Sequence, residues 1–85
     1  MASYSVLIKP SAAKELAALP LTDRRRVVGR ISALSAVPRP PGCEKLSGQE
    51  KYRIRQGDHR VLYEVDDGDA TVTVVKIGHR REVHR

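Results

Sequence analysis

Lys51, Arg53 and Arg55 stand at alternate positions, and Arg60 follows just after a Gly57-Asp58 turn. In an extended chain, side chains alternate between faces, so these three cations share one face while Tyr52 and Ile54 take the other. Arg60 is out of phase with Val61, Tyr63 and Val65. A hairpin therefore brings it to the cationic face, beside Arg53 or Arg55. Further along lie Lys76, Arg80 and Arg81, with His84 one residue before Arg85. Arginine stays protonated near neutrality and presents a planar fork of donors, which suits it to clamping phosphate. Histidine can exchange a proton near pH 7, so His84 is the candidate acid or base of the set. An isolated Arg-x-Arg pair is often no more than a solvated sheet face; the additional cations after the last strand favour a functional one.

Other chemistries find less support. One cysteine, Cys43, and three histidines at unrelated spacings form no zinc-ligand pattern, and no carboxylate cluster accompanies the basic residues, so neither a metal nor a cofactor is expected. The only aromatics are Tyr4, Tyr52 and Tyr63, too few for a base-stacking sheet. Tyr52 and Tyr63 are in phase with apolar residues and belong to the core. His59 precedes Arg60 at a turn, where an exposed position is expected, and His79 beside Gly78 either helps to shape the site or flanks Arg80; neither is the expected base.

The elements that must hold these residues are legible from their periods. Tyr4–Lys9 is a β-rich run halted by Pro10. Ala12, Leu16 and Leu19 recur at helical spacing over 11–19, with Ser11 as a candidate cap, until Pro20. A second helix, capped by Thr22 or Asp23, carries the stripe Val27, Val28, Ile31 and Leu34 and sets Arg24, Arg25, Arg26 and Arg30 mainly elsewhere. A Pro38-Arg39-Pro40-Pro41-Gly42 loop crosses to the second half. There the period becomes two: Lys51–Arg55 and Arg60–Val65 form a hairpin, 66–69 is a turn, and Ala70–Ile77 is a further strand ended by Gly78. The expected fold is α+β: an N-terminal strand, a two-helix hairpin, then a three-stranded antiparallel meander.

Eighty-five residues accommodate one small domain, spanning 1–85. Sixteen Lys and Arg against ten Asp and Glu give a net charge of +6, which favours polyanionic partners. Residues 1–42 hold seven basic and two acidic groups, and residues 43–85 nine and eight, so a basic patch in the second half must arise from geometry. No apolar run approaches the ~20 residues of a membrane span, and the first residues lack a signal pattern, so a cytoplasmic protein with no membrane partner is expected.

The order of elements, with Lys45-Leu46-Ser47-Gly48, Tyr52-Arg53-Ile54-Arg55, the stretch Gly57-Asp58-His59-Arg60-Val61-Leu62-Tyr63-Glu64-Val65 and the ending Gly78-His79-Arg80-Arg81-Glu82-Val83, resembles the RelE/ParE toxin superfamily, most closely its RelE branch. The resemblance implies a type II toxin held in a hetero-oligomer by a cognate antitoxin protein. It implies further that the toxin cleaves mRNA in the ribosomal A site, with ribosome and mRNA as partners. By position, Arg53, Arg55, Arg60 and Arg80 fall where RelE-type ribonucleases place basic catalytic or substrate-binding residues, and His84 where many carry a functional tyrosine. The chemistry then suggests Arg60 and Arg80 for the scissile phosphate, Arg53 and Arg55 for phosphate positioning and leaving-group stabilisation, and His84 as acid or base. Lys51 and Lys76 are peripheral substrate-binding candidates. RelE itself has lysines at the positions of Arg53 and Arg55. A ParE-like, non-catalytic inhibitor of DNA gyrase, or an inactive antitoxin-binding relative, shares the same fold.

Overall fold

The computed structural model describes residues 3–46 and 50–79. Its elements run β1 (Ser5–Ile8), α1 (Pro10–Ala17), α2 (Leu21–Ala33), β2 (Glu44–Lys45), β3 (Lys51–Gln56), β4 (His59–Asp66) and β5 (Thr71–His79). The five strands form one sheet in the order β1-β5-β4-β3-β2. β1 lies parallel to β5, and every other pairing is antiparallel. The α+β architecture is the expected one, with one addition: the segment before β3 contributes β2, pairing Glu44 with Arg53 and Lys45 with Tyr52.

Local details differ from expectation at the helix ends. Pro10 occupies the first turn of α1 and Lys9 is its cap residue, while Pro20 precedes α2; neither helix has a side-chain cap. Proline suits a first helical turn because its missing N–H would have no partner there, and this replaces the caps expected from Ser11, Thr22 or Asp23. Gly78 does not end β5 but pairs with Arg60 inside it. Val28 leaves the expected apolar stripe and is 42% exposed, whereas Val27, Ile31 and Leu34 are buried.

Those three residues, with Ala12 of α1, pack on Tyr52, Ile54, Val61, Tyr63, Val65, Val72, Val74 and Ile77. Each fully buried aliphatic side chain contributes about 1.5–3 kcal/mol, so the helix-facing side of β3, β4 and β5 carries most of the stability. The alternation is interrupted once. Leu62 pairs with Lys76 and Tyr63 with Val74, leaving Val75 as an extra residue between them. This bulge moves the inward set on β5 from Val72 and Val74 to Ile77, and thereby turns Lys76 and Gly78 toward the outer face.

The outer edge of β5 is closed in two ways. β1 covers it from Thr71 to Val74, and beyond that Glu15 of α1 accepts hydrogen bonds from the Ile77 backbone N–H (2.9 Å) and from Lys76 Nζ (3.0 Å). Burial pushes the Glu15 carboxyl up, but the Ile77 amide and the Lys76 ammonium together outweigh it and hold its pKa below the usual value.

The proline loop is fastened equally firmly. Arg39 donates from Nε to Tyr52 Oη (2.8 Å), from Nη1 and Nη2 to the two carboxylate oxygens of Asp67 (3.1 and 2.8 Å), and from Nη2 to Glu50 (3.0 Å). Tyr4 Oη donates to Asp67 (2.6 Å), and the buried Tyr63 hydroxyl donates to the Pro38 carbonyl (2.7 Å). The Arg39 and Tyr4 bonds hold the Asp67 carboxyl below its usual range. Hydrogen bonds from Tyr52, Arg39 and Lys45 do the same for Glu50.

Candidate nucleic-acid interface

The sheet face turned away from the helices gathers the expected cations because the β3–β4 turn has only two residues. Gly57 takes a φ of 61°, which suits a residue without a Cβ, and the turn fixes Gln56 opposite His59 and Arg55 opposite Arg60. Arg53 then stands opposite Leu62 and Lys51 opposite Glu64. On the far side, Arg60, Leu62 and Glu64 pair with Gly78, Lys76 and Thr73. Three cross-strand rows result: Arg55-Arg60-Gly78 at one end, Arg53-Leu62-Lys76 in the middle, and Lys51-Glu64-Thr73 toward the other end.

Charge pairing separates these residues into two groups. Lys51 meets Glu64 (3.7 Å), Arg53 meets Glu44 (2.9 Å from Nη2), and Lys76 meets Glu15. Arg53 is further confined, with its side chain only 21% exposed. Arg55 and Arg60 have no carboxylate partner among the described residues. Arg60 is half-buried, and its Nη1 is buried without a hydrogen-bond partner among the described residues. A guanidinium N–H left unsatisfied costs on the order of 1–3 kcal/mol, and an anion supplied from outside would recover it. Gly78, the cross-strand partner of Arg60, adds no side chain of its own to this row.

The structure thus brings together Arg53, Arg55, Arg60 and Lys76 and places Lys51 at the opposite end of the face. Arg80 and His84 lie outside the described residues. Glu15, Glu44 and Glu64 are the additions that sequence reasoning missed. Each comes from another element or a neighbouring strand, so only the pairing register reveals it. His59 and His79 are also direct cross-strand partners, with ring centroids 6.1 Å apart, edge to face. By the alternation of β4 and β5 they share the helix side with Val61 and Ile77, and they line a cavity of about 370 Å³ at the β5 edge with Glu15, Ala18, Leu19, Lys76, Ile77 and Gly78. Among the described residues no group of three His, Cys, Asp or Glu side chains is placed to hold a metal, and no helix is long and apolar enough to cross a membrane.

Residues 6–84 match the family model described as the ParE toxin of type II toxin-antitoxin systems, parDE. The toxin RelG of Mycobacterium tuberculosis is 29% identical over 96% of this chain and 97% of its own length. Among solved structures, the archaeal RelE-RelB complex of Pyrococcus horikoshii contains a chain that superposes with a TM-score of 0.85 at 31% identity, covering 95% of this chain and 99% of that one. The RelBE2 toxin-antitoxin complex of M. tuberculosis gives 0.81 at 28% identity, over 92% and 99%. With nearly all of its length inside that family model and the same fold as RelE proteins, the chain belongs to the ParE toxin family of type II toxin-antitoxin systems, within the RelE/ParE superfamily.

Proposed function

We propose that this toxin is a ribosome-dependent endoribonuclease acting in the cytoplasm, with Arg55 and Arg60 as its phosphate-binding centre. The observation that carries the reading is the buried, unpartnered Nη1 of Arg60 beside the exposed Arg55. In the reaction, a ribose 2′-oxygen loses its proton and attacks the adjacent phosphorus, the P–O5′ bond breaks, and the departing 5′-oxygen takes up a proton. The products are a 2′,3′-cyclic phosphate and a 5′-hydroxyl. Arg60 and Arg80 offset the charge that develops on the phosphorane, and Arg55 and Arg53 position the flanking phosphate and stabilise the leaving oxygen. Lys76 borders the site in a pair with Glu15, and Lys51 lies outside it. His84 is the candidate acid or base; the ribosome orients the substrate.

RelB antitoxins accompany the relatives in the Pyrococcus and Mycobacterium complexes. A cognate antitoxin with an acidic segment fits the cationic end here, since complementary charge speeds association and burial stabilises a small domain. The test is to add the purified chain to translating ribosomes and map new mRNA 5′ ends. Cleavage leaving 5′-hydroxyl ends, reduced about 10²- to 10³-fold by Arg60→Gln, is expected from the loss of one charge-stabilising donor. Ends bearing a 5′-phosphate overturn the proposed chemistry.

A second reading, a non-catalytic inhibitor of DNA gyrase, draws on the ParE name of the matching family model and on the lack of a proton-transfer group on the cationic face among the described residues. Inhibition of supercoiling with intact mRNA would select it.

A further inference from the structure

The same outer sheet face that ends in Arg55 and Arg60 ends in carboxylates at its other extremity. A groove of about 660 Å³ there is lined by Glu50, Glu64, Asp66, Asp67 and Asp69, with Leu7, Lys51, Thr71 and Thr73 between them. Asp67 and Glu50 are engaged with Arg39, but Glu64 meets only the long 3.7 Å contact with Lys51. The Asp66 carboxylate accepts only the Asp69 backbone N–H (3.0 Å). All three of Glu64, Asp66 and Asp69 are wholly or partly exposed. In a chain of net charge +6, this is a concentration of negative charge against the overall sign. Two of these carboxylates, Glu64 and Asp66, lie on β4 itself, and Glu64 is four residues from Arg60, about 13 Å along the strand.

We propose that Glu64, Asp66 and Asp69 are specificity-determining residues that set the path of RNA over the sheet, an inference that rests on the ribonuclease reading. A single strand laid along β4 from Arg60 carries its phosphates into these carboxylates within that distance and is repelled. A strand crossing β3, β4 and β5 at the Arg55-Arg60-Gly78 row meets two cations and, among the described residues of that row, no carboxylate. The face accepts a short piece of backbone in one direction and rejects an extended strand in the other. Free RNA, which binds mostly through the number of phosphates neutralised, therefore gains little by being longer. Repulsion built against the wrong ligand is as effective a source of specificity as attraction to the right one.

The experiment measures equilibrium binding of the full chain to a trinucleotide and to a dodecanucleotide of the same base composition, at several salt concentrations. Glu64→Gln/Asp66→Asn/Asp69→Asn keeps side-chain volumes and retains an acceptor at 66 for the Asp69 amide. It is expected to tighten dodecanucleotide binding at least tenfold while changing trinucleotide binding less than twofold. The salt slope for the longer strand should steepen by about 0.7 for each additional phosphate engaged. Thr73→Glu, which extends the carboxylates on the outer face, is the converse variant and should weaken only the dodecanucleotide. Equal gains for both lengths would mean that net charge alone is acting, and no gain for the dodecanucleotide would mean that the carboxylates border no RNA path; both overturn the proposal. Arg60→Gln is measured alongside: if it leaves trinucleotide binding intact, the RNA-binding reading itself fails, whatever the carboxylate variants do.

Discussion

Arg55 and Arg60 are direct cross-strand partners at the end of the β3–β4 hairpin, two like charges held side by side where a folded chain gains nothing from them. Like-charged neighbours across an antiparallel pair are destabilising, and the unpartnered Nη1 of Arg60 adds a desolvation cost. The three other described cations of the outer face each have a carboxylate within 4 Å. That contrast sets the Arg55-Arg60 end apart from the rest of the face and is what the proposed phosphate-binding role rests on.

Replacing Arg55 should therefore stabilise the protein while harming its activity. Arg55→Thr removes the repulsion and places a good strand former at an exposed position, so an increase of about 0.2–1 kcal/mol in unfolding free energy is expected. Urea unfolding measures it. A fall in stability would show that the Arg55 side chain packs usefully, and would remove the argument for a trade between stability and function.

How much of this was readable beforehand depends on how local the cause is. The shared face of Lys51, Arg53 and Arg55 follows from period two alone, and the two-residue Gly57-Asp58 turn is enough to count Arg60 opposite Arg55 rather than Arg53. The bulge at Val75 is hidden because Val75 is itself apolar and reads as one more core position of a continuous strand; Gly78 reads as a stop because a glycine weakens a strand interior, yet it pairs with Arg60. The pairings that withdraw Arg53 and Lys76 come from Glu44 and Glu15, separated from them by nine and sixty-one positions, and only the assembled fold joins them. The carboxylates of 66–69 read as turn chemistry, which they also perform.

Glu15 should prove to be the fastening of the strand end that leads to Arg80. Glu15→Ala leaves the Ile77 amide and the Lys76 ammonium without their acceptor, costing on the order of 1–3 kcal/mol. Glu15→Gln retains an oxygen for the amide and should lose about 1 kcal/mol or less, the exposed part of the ion pair being worth little. Hydrogen exchange at Ile77, Gly78 and His79 provides the local readout: faster exchange in Glu15→Ala than in Glu15→Gln is expected, and equal protection in both would mean that pairing with β4 holds this strand end without Glu15.

Acid should loosen the proline loop before the core. Asp67 is held low by Arg39 and Tyr4, and Glu50 by Tyr52, Arg39 and Lys45. A carboxyl whose folded pKa lies below its unfolded one stabilises the fold above the unfolded value, about 3.9 for Asp and 4.3 for Glu, and that contribution is lost as pH falls through the folded value. The double variant Asp67→Asn/Glu50→Gln should be less stable than the parent at pH 7, with the gap closing as pH falls below about 4. Denaturant midpoints between pH 2 and 7 test this. A gap independent of pH would mean that the two side chains act by shape and hydrogen bonding without their charge.

The last expectation separates proton transfer from charge stabilisation. Among the described residues, the histidines nearest the Arg55-Arg60 end are His59 and His79, which the alternation of β4 and β5 directs to the helix side. A group on that side is shielded from a phosphate on the outer face by the sheet itself. His59→Gln/His79→Gln should therefore leave the shape of the pH–rate profile unchanged in single-turnover cleavage on preformed ribosome complexes with toxin saturating. His84→Ala should instead lower the rate by about 10²- to 10⁴-fold and erase an ionisation from the near-neutral range of the profile. Arg60→Gln should lower the rate by a similar factor at every pH, since an arginine does not titrate in that range. If His84→Ala retains both the parent rate and the parent profile, proton transfer belongs to the ribosome or the RNA, and the toxin contributes arginine electrostatics and positioning alone.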